Sequence, residues 1–534
     1  MPNSSMKALL GISIFLCILG SVMLQALDAD TVLPSEHTMD CCSNEPEEGG
    51  SFSIDPAILE LKDDISRLIL AREKRSEEWG VLVVSLEHGD TLFTHSKNKA
   101  LSPASNMKLF TTAAALHFLG PKFRYQTLLY YDGTIREGHL EGDLILFGTG
   151  DPGISERFSK NKAEMYKSFL LSLERAGVAV IDGDVVGDAT YFSGPEIGPE
   201  WNLEDLNDWY TAPVSSLSIN ENIVTLQILP AMTPGQAPNI YSDQQGLPLP
   251  INNTARTVAG RPTAPLWLDR MTPDSEIHIY GQIQSGSPGV WRRLTVSDPA
   301  LLAASELKKV LLANGIEVKG GPKSIRDRDF STISKPQSLD SAGRSVTRAQ
   351  ILGQHFSPEI IEYLKVLNYE SHNLIGESLL KTIGRLTGND GSFEGGSNSI
   401  VRFLQENVKI PKRDITISDG SGLSASNQAS PEAFVRLFTY LVETEQWKTF
   451  ISTLPEAGQS LQRMYRTPAA RNLRAKTGTI EGASALTGVV TTRDGEELIF
   501  SIISNGLRST RSSKRIEDLI STRLANFRRT STSH

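Results

Sequence analysis

Two strand hairpins stand near opposite ends of this 534-residue chain, and a sheet built from both limits the fold more than any other feature. The first is Val81-Leu82-Val83-Val84 and Thr91-Leu92-Phe93, joined by the polar turn Glu87-His88-Gly89-Asp90. The second runs over 486–492 and 497–503, turned at Arg493-Asp494-Gly495. Apolar runs bounded by Gly- and Asp-containing turns are hairpin signals. Helical periodicity covers 56–74, where Ile58, Leu61, Ile65, Leu68 and Ile69 share one stripe. It returns at 107–120, 359–366, 373–386, 431–444 and 514–527. Strands at both ends with helices between predict an α/β (α+β) body whose antiparallel sheet is assembled from both termini.

Between these parts the texture changes. Residues 121–338 carry short strand-like runs at 127–131, 143–147 and 223–228, broken by turns rich in Gly, Pro and Asn, with one helix over 298–316. This reads as a β-rich insert of two lobes. The expected organisation is 54–120 with 339–534 as one domain and 121–338 as the insert. Ahead of them stand a leader, 1–29, and a polar linker, 30–53. Lys7 followed by the apolar run 9–27 has the order of an export signal, either cleaved or kept as an anchor. The expected location is therefore outside the cytoplasm, in the periplasm or cell envelope, with peripheral or anchored contact with the membrane. A net charge of -9 argues against nucleic acid as the main partner. The cysteines are Cys17, Cys41 and Cys42, so everything downstream lacks the thiols of a Cys-based zinc site. No metal and no cofactor are expected.

Three short motifs carry chemistry. Ser105-Asn106-Met107-Lys108 opens the helix over 107–120. Residues three apart share a helix face, so the Lys108 amine reaches the Ser105 hydroxyl. An amine kept neutral by burial can take the serine proton. The same S-x-x-K spacing recurs at Ser96–Lys99, Ser159–Lys162, Ser305–Lys308 and Ser378–Lys381, but only Ser105 follows Pro-Ala into an apolar helix. Ser371-His372-Asn373 lies between two helical segments; a hydroxyl there can pass a proton to a leaving amine, and an amide can hold a carbonyl. Ser218-Ile219-Asn220 has the same spacing but leads into a strand of the insert. Lys476-Thr477-Gly478-Thr479 precedes the C-terminal hairpin. It offers a cation, a hydroxyl, a glycine for close approach and a backbone N–H for an oxyanion.

S-x-x-K, S-x-N and K-T-G in this order mark active-site-serine enzymes that react with penicillins. The chain resembles the low-molecular-weight, class C penicillin-binding proteins, D-alanyl-D-alanine carboxypeptidases and endopeptidases whose transpeptidase-like domain is split by a large insert. Supporting stretches are Gly148-Thr149-Gly150-Asp151-Pro152, the segment 212–222, and Asp419-Gly420-Ser421-Gly422-Leu423-Ser424. The resemblance implies Ser105 as nucleophile and Lys108 as base. It makes Ser371 the proton relay, Asn373 a holder of the acyl side, and Lys476 with Thr477 a carboxylate site. The N–H groups of Ser105 and Thr479 form the oxyanion hole beside Gly478. Asp205 and Tyr210 of the insert match positions that meet a free side-chain amine. Substrates would be peptidoglycan stem peptides or cross-links, with β-lactam antibiotics as covalent inhibitors. Ala425 and Glu481 depart from the pattern of some relatives and bear on side-chain specificity.

Two competing functions remain open on sequence: a related serine β-lactamase or esterase, and an inactive wall-binding module. The size of the insert weighs against the first, and intact Ser105, Lys108 and Lys476 against the second. Neither an H-E-x-x-H zinc motif nor a G-x-S-x-G elbow occurs.

Overall fold

The computed structural model describes residues 55–73, 76–243, 249–271, 275–334, 338–339, 345–346, 348–388 and 390–530. The leader and linker lie outside the described residues, as does Cys41-Cys42. Among the described residues no helix is long and apolar enough to cross a membrane.

The chain enters through helix α1 (Pro56–Glu73), then strands β1 (Glu78–Ser85) and β2 (Thr91–His95). A single 3-10 turn, Ala104–Asn106, leads into helix α2 (Met107–Phe118). After the insert come α3 (Asn373–Leu386), α4 (Phe393–Glu406) and α5 (Pro431–Val442). The chain closes with β3 (Leu473–Ile480), β4 (Ala483–Thr491), β5 (Glu497–Asn505) and α6 (Thr510–Ala525). The strands form one antiparallel sheet in the order β2-β1-β5-β4-β3. Both termini therefore build it, as the two hairpins imply.

Its central strands carry apolar residues on both faces because both faces are covered, with small polar residues such as Thr487 and Ser501 buried among them. On one face α1 and α6 bury Ile58, Leu61, Ile65 and Leu524 against Val81, Leu486 and Phe500. On the other lie α2 and α5, where the Phe110 and Phe434 rings stack at 4.5 Å. The edge strand β3 is not evident in the sequence, since Lys476 interrupts its apolar pattern. Among the described residues, only the start of β3 is paired with other backbone on its outer side, where the Ala457 N–H donates to the Leu473 carbonyl and the Ala475 N–H to that of Pro455.

The insert holds a seven-stranded sheet around the hairpin Gln126–Arg136 and His139–Gly148. Two features differ from the sequence-based expectation. Helix Ser159–Arg175 crosses from His139–Gly148 to the parallel strands Val180–Ile181 and Val185–Asp188. A parallel pair needs such a crossover. Strand Gln350–Phe356, assigned by sequence to the C-terminal part, pairs with Gln126–Arg136 in this sheet. The chain thus adds one more antiparallel strand to this sheet before it reaches the C-terminal helices. Further small sheets are built from Ile223–Leu229, Asn239–Ser242 and Val290–Thr295, and from Ile251–Asn253, Trp267–Asp269 and Ile277–Tyr280, and share one apolar core with the larger sheet.

Candidate active site

The site forms where the edge strand β3, the start of α2, the start of α3 and the insert meet. Ala104 adopts a left-handed backbone, φ +46°, and turns Ser105 out at the floor of a cleft. Non-glycine residues rarely adopt this conformation, which concentrates at functional sites. The turn is clamped from two sides. A Cβ on Gly478 would lie 2.4 Å from the Pro103 carbonyl, and one on Gly422 would lie 1.9 Å from that of Ala104. The K-T-G glycine is therefore required by its contact with the turn that carries Ser105. Asn106 Nδ2 donates to Thr487 Oγ1 at 2.9 Å, tying the turn to β4.

At the second residue of α2, Lys108 is fully buried. Its Nζ donates to Asn373 Oδ1 at 2.8 Å and the Ser421 carbonyl at 2.7 Å, and is hydrogen-bonded to Ser105 Oγ at 3.1 Å, where the hydroxyl is the donor when the amine is neutral. Lys476, also fully buried, donates to Ser371 Oγ at 3.0 Å and to the Thr477 carbonyl at 2.8 Å. Each motif serine thus has a buried lysine behind its hydroxyl. Burial disfavours the ammonium and pushes both amines below the ordinary lysine range. For Lys476 the charge of Lys108 adds to this, whereas for Lys108 the carboxylates of Glu377 and Asp419 oppose it.

Glu377 is a site residue that the motifs do not reveal. It lies four residues after Asn373 on α3, fully buried, and accepts from the backbone N–H groups of Gly420 and Ser421 at 2.7 and 2.8 Å. The Ser421 carbonyl is the one that Lys108 meets. Burial and nearby Asp419 push the Glu377 carboxyl above its usual range. Asp419 organises the adjoining loop, accepting from the N–H groups of Gly422 and Ser424 and from Trp201 Nε1 of the insert.

The cleft has a volume of about 650 Å³. Its walls include Ser105, Ser371, Asn373 and Thr479 together with Asp205 and Tyr210. Asn373 Nδ2 donates to the Tyr210 carbonyl at 3.0 Å, which joins the insert to the S-x-N segment. The Tyr210 hydroxyl donates to Asp208 at 3.0 Å. Burial raises its pKa, and the neighbouring carboxylates raise it further. Thr479, rather than the half-buried Thr477, lines the cleft. Glu200, Asp205, Glu370 and Glu481 contribute four carboxylates to the lining, which contains no lysine or arginine. Ala425 also lines the cleft.

The repeated motifs have other environments. Lys162 bonds Asn220 Oδ1, Lys308 the Gly320 carbonyl, Lys99 Glu78, and Lys381 the Pro195 carbonyl. Asn220 is thereby held inside the insert, away from Lys108. Among the described residues no group of three or more His, Cys, Asp or Glu is arranged to hold a metal ion.

A serine hydroxyl backed by one buried amine, with a second serine–lysine pair nearby, defines an acyl-transfer site of the penicillin-binding kind. The profile described as the D-Ala-D-Ala carboxypeptidase 3 (S13) family matches residues 61–527, and the chain belongs to that family. Within it the chain is a low-molecular-weight, class C penicillin-binding protein. A D-alanyl-D-alanine carboxypeptidase of an Actinomadura species is 30% identical over 485 residues, covering 88% of this chain and 85% of the relative. The D-alanyl-D-alanine carboxypeptidase DacB of Haemophilus influenzae is 25% identical, covering 80% and 85%. The crystal structure of penicillin binding protein 4 from Haemophilus influenzae superimposes with a TM-score of 0.73 at 24% identity, covering 87% of this chain and all of that one. That likeness concerns the fold.

Proposed function

We infer that the chain is a serine-type D-Ala-D-Ala carboxypeptidase, with endopeptidase action on cross-links, that cuts peptidoglycan stem peptides through an acyl-enzyme on Ser105. The observation that carries this reading is the pair of buried amines, Lys108 and Lys476, each hydrogen-bonded to a serine hydroxyl at 3.1 and 3.0 Å. Neutral Lys108 takes the Ser105 proton as Oγ attacks the carbonyl of the penultimate D-Ala. The N–H groups of Ser105 and Thr479 receive the developing oxyanion. Ser371, backed by Lys476, gives its proton to the leaving amine as the peptide bond breaks, and the proton that Lys108 took from Ser105 replaces it, so that both serine–lysine pairs return to their starting charge. Water then hydrolyses the ester and restores the hydroxyl. Asn373 keeps Lys108 aligned and faces the acyl side.

The acidic cleft supports selection of a substrate with a free side-chain amine, met by Asp205, with Tyr210 and Glu481 beside it. A β-lactam would acylate the same hydroxyl and inhibit the enzyme. A cell-wall substrate fits export by the run 9–27 to the periplasmic side of the envelope, with or without a retained anchor. The catalytic part is taken as 54–120 with 357–534, and the insert as 121–356.

Incubation with a fluorescent penicillin, followed by mass mapping of the labelled peptide, tests the reading. Label is expected on Ser105 and none on a folded Ser105→Ala variant. Label on another serine would refute the assignment.

A further inference from the structure

The second S-x-N copy leads to an arrangement that the catalytic scheme does not use. Immediately after Ile219, three consecutive non-glycine residues adopt left-handed backbone: Asn220, Glu221 and Asn222, at φ +52°, +58° and +56°. Asparagine tolerates this region, whereas glutamate rarely enters it. The turn is locked from within. Asn222 is fully buried and donates from Nδ2 to the Pro213 carbonyl at 2.8 Å and to Ser218 Oγ at 2.9 Å. Its Oδ1 accepts from the Ile219 N–H at 3.2 Å. Such a conformation persists only where surrounding structure enforces it.

What the turn delivers is the Glu221 carboxylate, placed 3.0 Å from His372 Nε2. His372 is the middle residue of S-x-N and is buried. Its Nδ1 has no hydrogen-bond partner among the described residues, and its ring lies 6.0 Å from that of Trp209, another insert residue. Ser371 is itself left-handed, at φ +58°. Arg157 completes the grip. Its Nε donates to Glu221 at 2.7 Å, and its guanidinium also pairs with Glu370, the residue before Ser371.

We propose that Glu221 is a positioning residue: through its hydrogen bond to His372, backed by Arg157, the insert holds the turn that presents Ser371 to Lys476 and Asn373 to Lys108. Glu221 contacts no reacting atom. It fixes the residue between two that do. The insert thus serves catalysis as a support for the proton relay as well as a wall of the cleft. The proposal rests on the functional reading above, since the rate it predicts is that of acylation at Ser105.

The test is the rate of acylation of the full chain by benzylpenicillin, with the final stoichiometry of labelling and the melting temperature. Glu221→Ala should acylate ten- to hundredfold more slowly, the range expected when an aligned group shifts by a fraction of an ångström. The labelled fraction should still reach that of wild type, because a merely unstable protein loses active molecules and not rate constant. Glu221→Gln, which keeps the shape and a hydrogen-bonding oxygen, should recover to within about fivefold of wild type. His372→Ala and the double variant Glu221→Ala/His372→Ala should be equally slow, as two changes that remove one contact are not additive. The proposal is overturned if Glu221→Ala acylates within twofold of wild type, or if the double variant loses the product of the two single losses. Should Glu221→Ala fail to fold, wild-type rates in both Glu221→Gln and His372→Ala would overturn it equally. An unlabelled wild type would instead overturn the functional reading on which the proposal stands.

Discussion

Replacing Gly478 by alanine perturbs the site without removing any functional group. The added Cβ would stand 2.4 Å from the Pro103 carbonyl, 3.1 Å from the Ser105 nitrogen and 3.2 Å from the Ala104 Cβ. Packed Cβ atoms essentially never approach another heavy atom within 3.0 Å, so β3 must retreat from the nucleophile turn by at least about 0.6 Å, the difference between 2.4 and 3.0 Å. The other two neighbours bar a sideways escape. Both groups of the proposed oxyanion hole ride on the surfaces that separate, Ser105 on the turn and Thr479 on β3. A misplacement of about 1 Å can cost on the order of 10²-fold in rate. We therefore expect acylation by benzylpenicillin to fall roughly ten- to hundredfold, or about 1.4–2.7 kcal/mol of barrier. Stopped-flow acylation gives the rate, and a melting curve monitors the fold. Gly495→Ala is the control: its φ is also positive, at +95°, but its Cβ would find nothing within 4 Å, so it should affect stability alone. A Gly478→Ala protein that acylates within threefold of wild type would refute the reasoning, because the edge strand would not then be set by its contact with the turn.

Two further variants probe charge. The acylation rate should rise with pH along a limb below the ordinary lysine range of about 10.4, since burial lowers Lys108 and only its neutral form accepts a proton. Glu377 opposes that lowering, so Glu377→Gln should move the limb to lower pH; an unmoved or upward-shifted limb in the pH–rate profile would separate Glu377 from Lys108. Asp205→Asn should reduce kcat/KM by roughly tenfold or more on a peptide with a free side-chain amine, the worth of a desolvated charge-assisted contact. It should hardly affect the acetylated peptide, and equal losses on both would make Asp205 a support of the fold.

Much of the fold and of the site is legible in the sequence. The hairpins near both termini announce a shared sheet, and the order of three motifs singles out Ser105 as the candidate among several S-x-x-K sites. Other features are hidden for physical reasons. In β3, Leu473 and Ala475 face the core, but Lys476 is also buried, and an interior lysine reads as a surface position. Helix α4 carries Gly395, Gly396 and Ser397 near its start, residues that argue against a helix. They are there because a Cβ on Gly396 would stand 2.3 Å from the Leu380 carbonyl, so that small residues let α4 approach α3. Helix Ser159–Arg175 does show its pattern, in Met165, Tyr166, Phe169 and Leu173, and is obscured by the polar run that opens it. The Glu221–His372 contact joins residues 151 positions apart, with no sequence signal at either end.

The arrangement of the lysines bears on why two are needed. A protonated amine is a poor base, and one buried lysine beside an ionised carboxylate would tend to stay protonated. Glu377 lies close enough to act on Lys108 in that way, yet it is engaged by the N–H groups of Gly420 and Ser421, and Asp419 disfavours its charge. Lys476 works in the other direction: any positive charge it carries makes protonation of Lys108 harder, and the reverse holds as well. The two amines are connected through their serines and through the short segment Ser371-His372-Asn373, which bonds Lys476 at one end and Lys108 at the other. In the proposed reaction, a proton taken from Ser105 at Lys108 and one supplied at Ser371 would be changes at two ends of one coupled set of charges. On this view the S-x-N segment sets the distance between two titrating groups besides contributing side chains. Ser371, left-handed at φ +58°, opens that segment, and Glu221 of the insert meets its middle residue, His372.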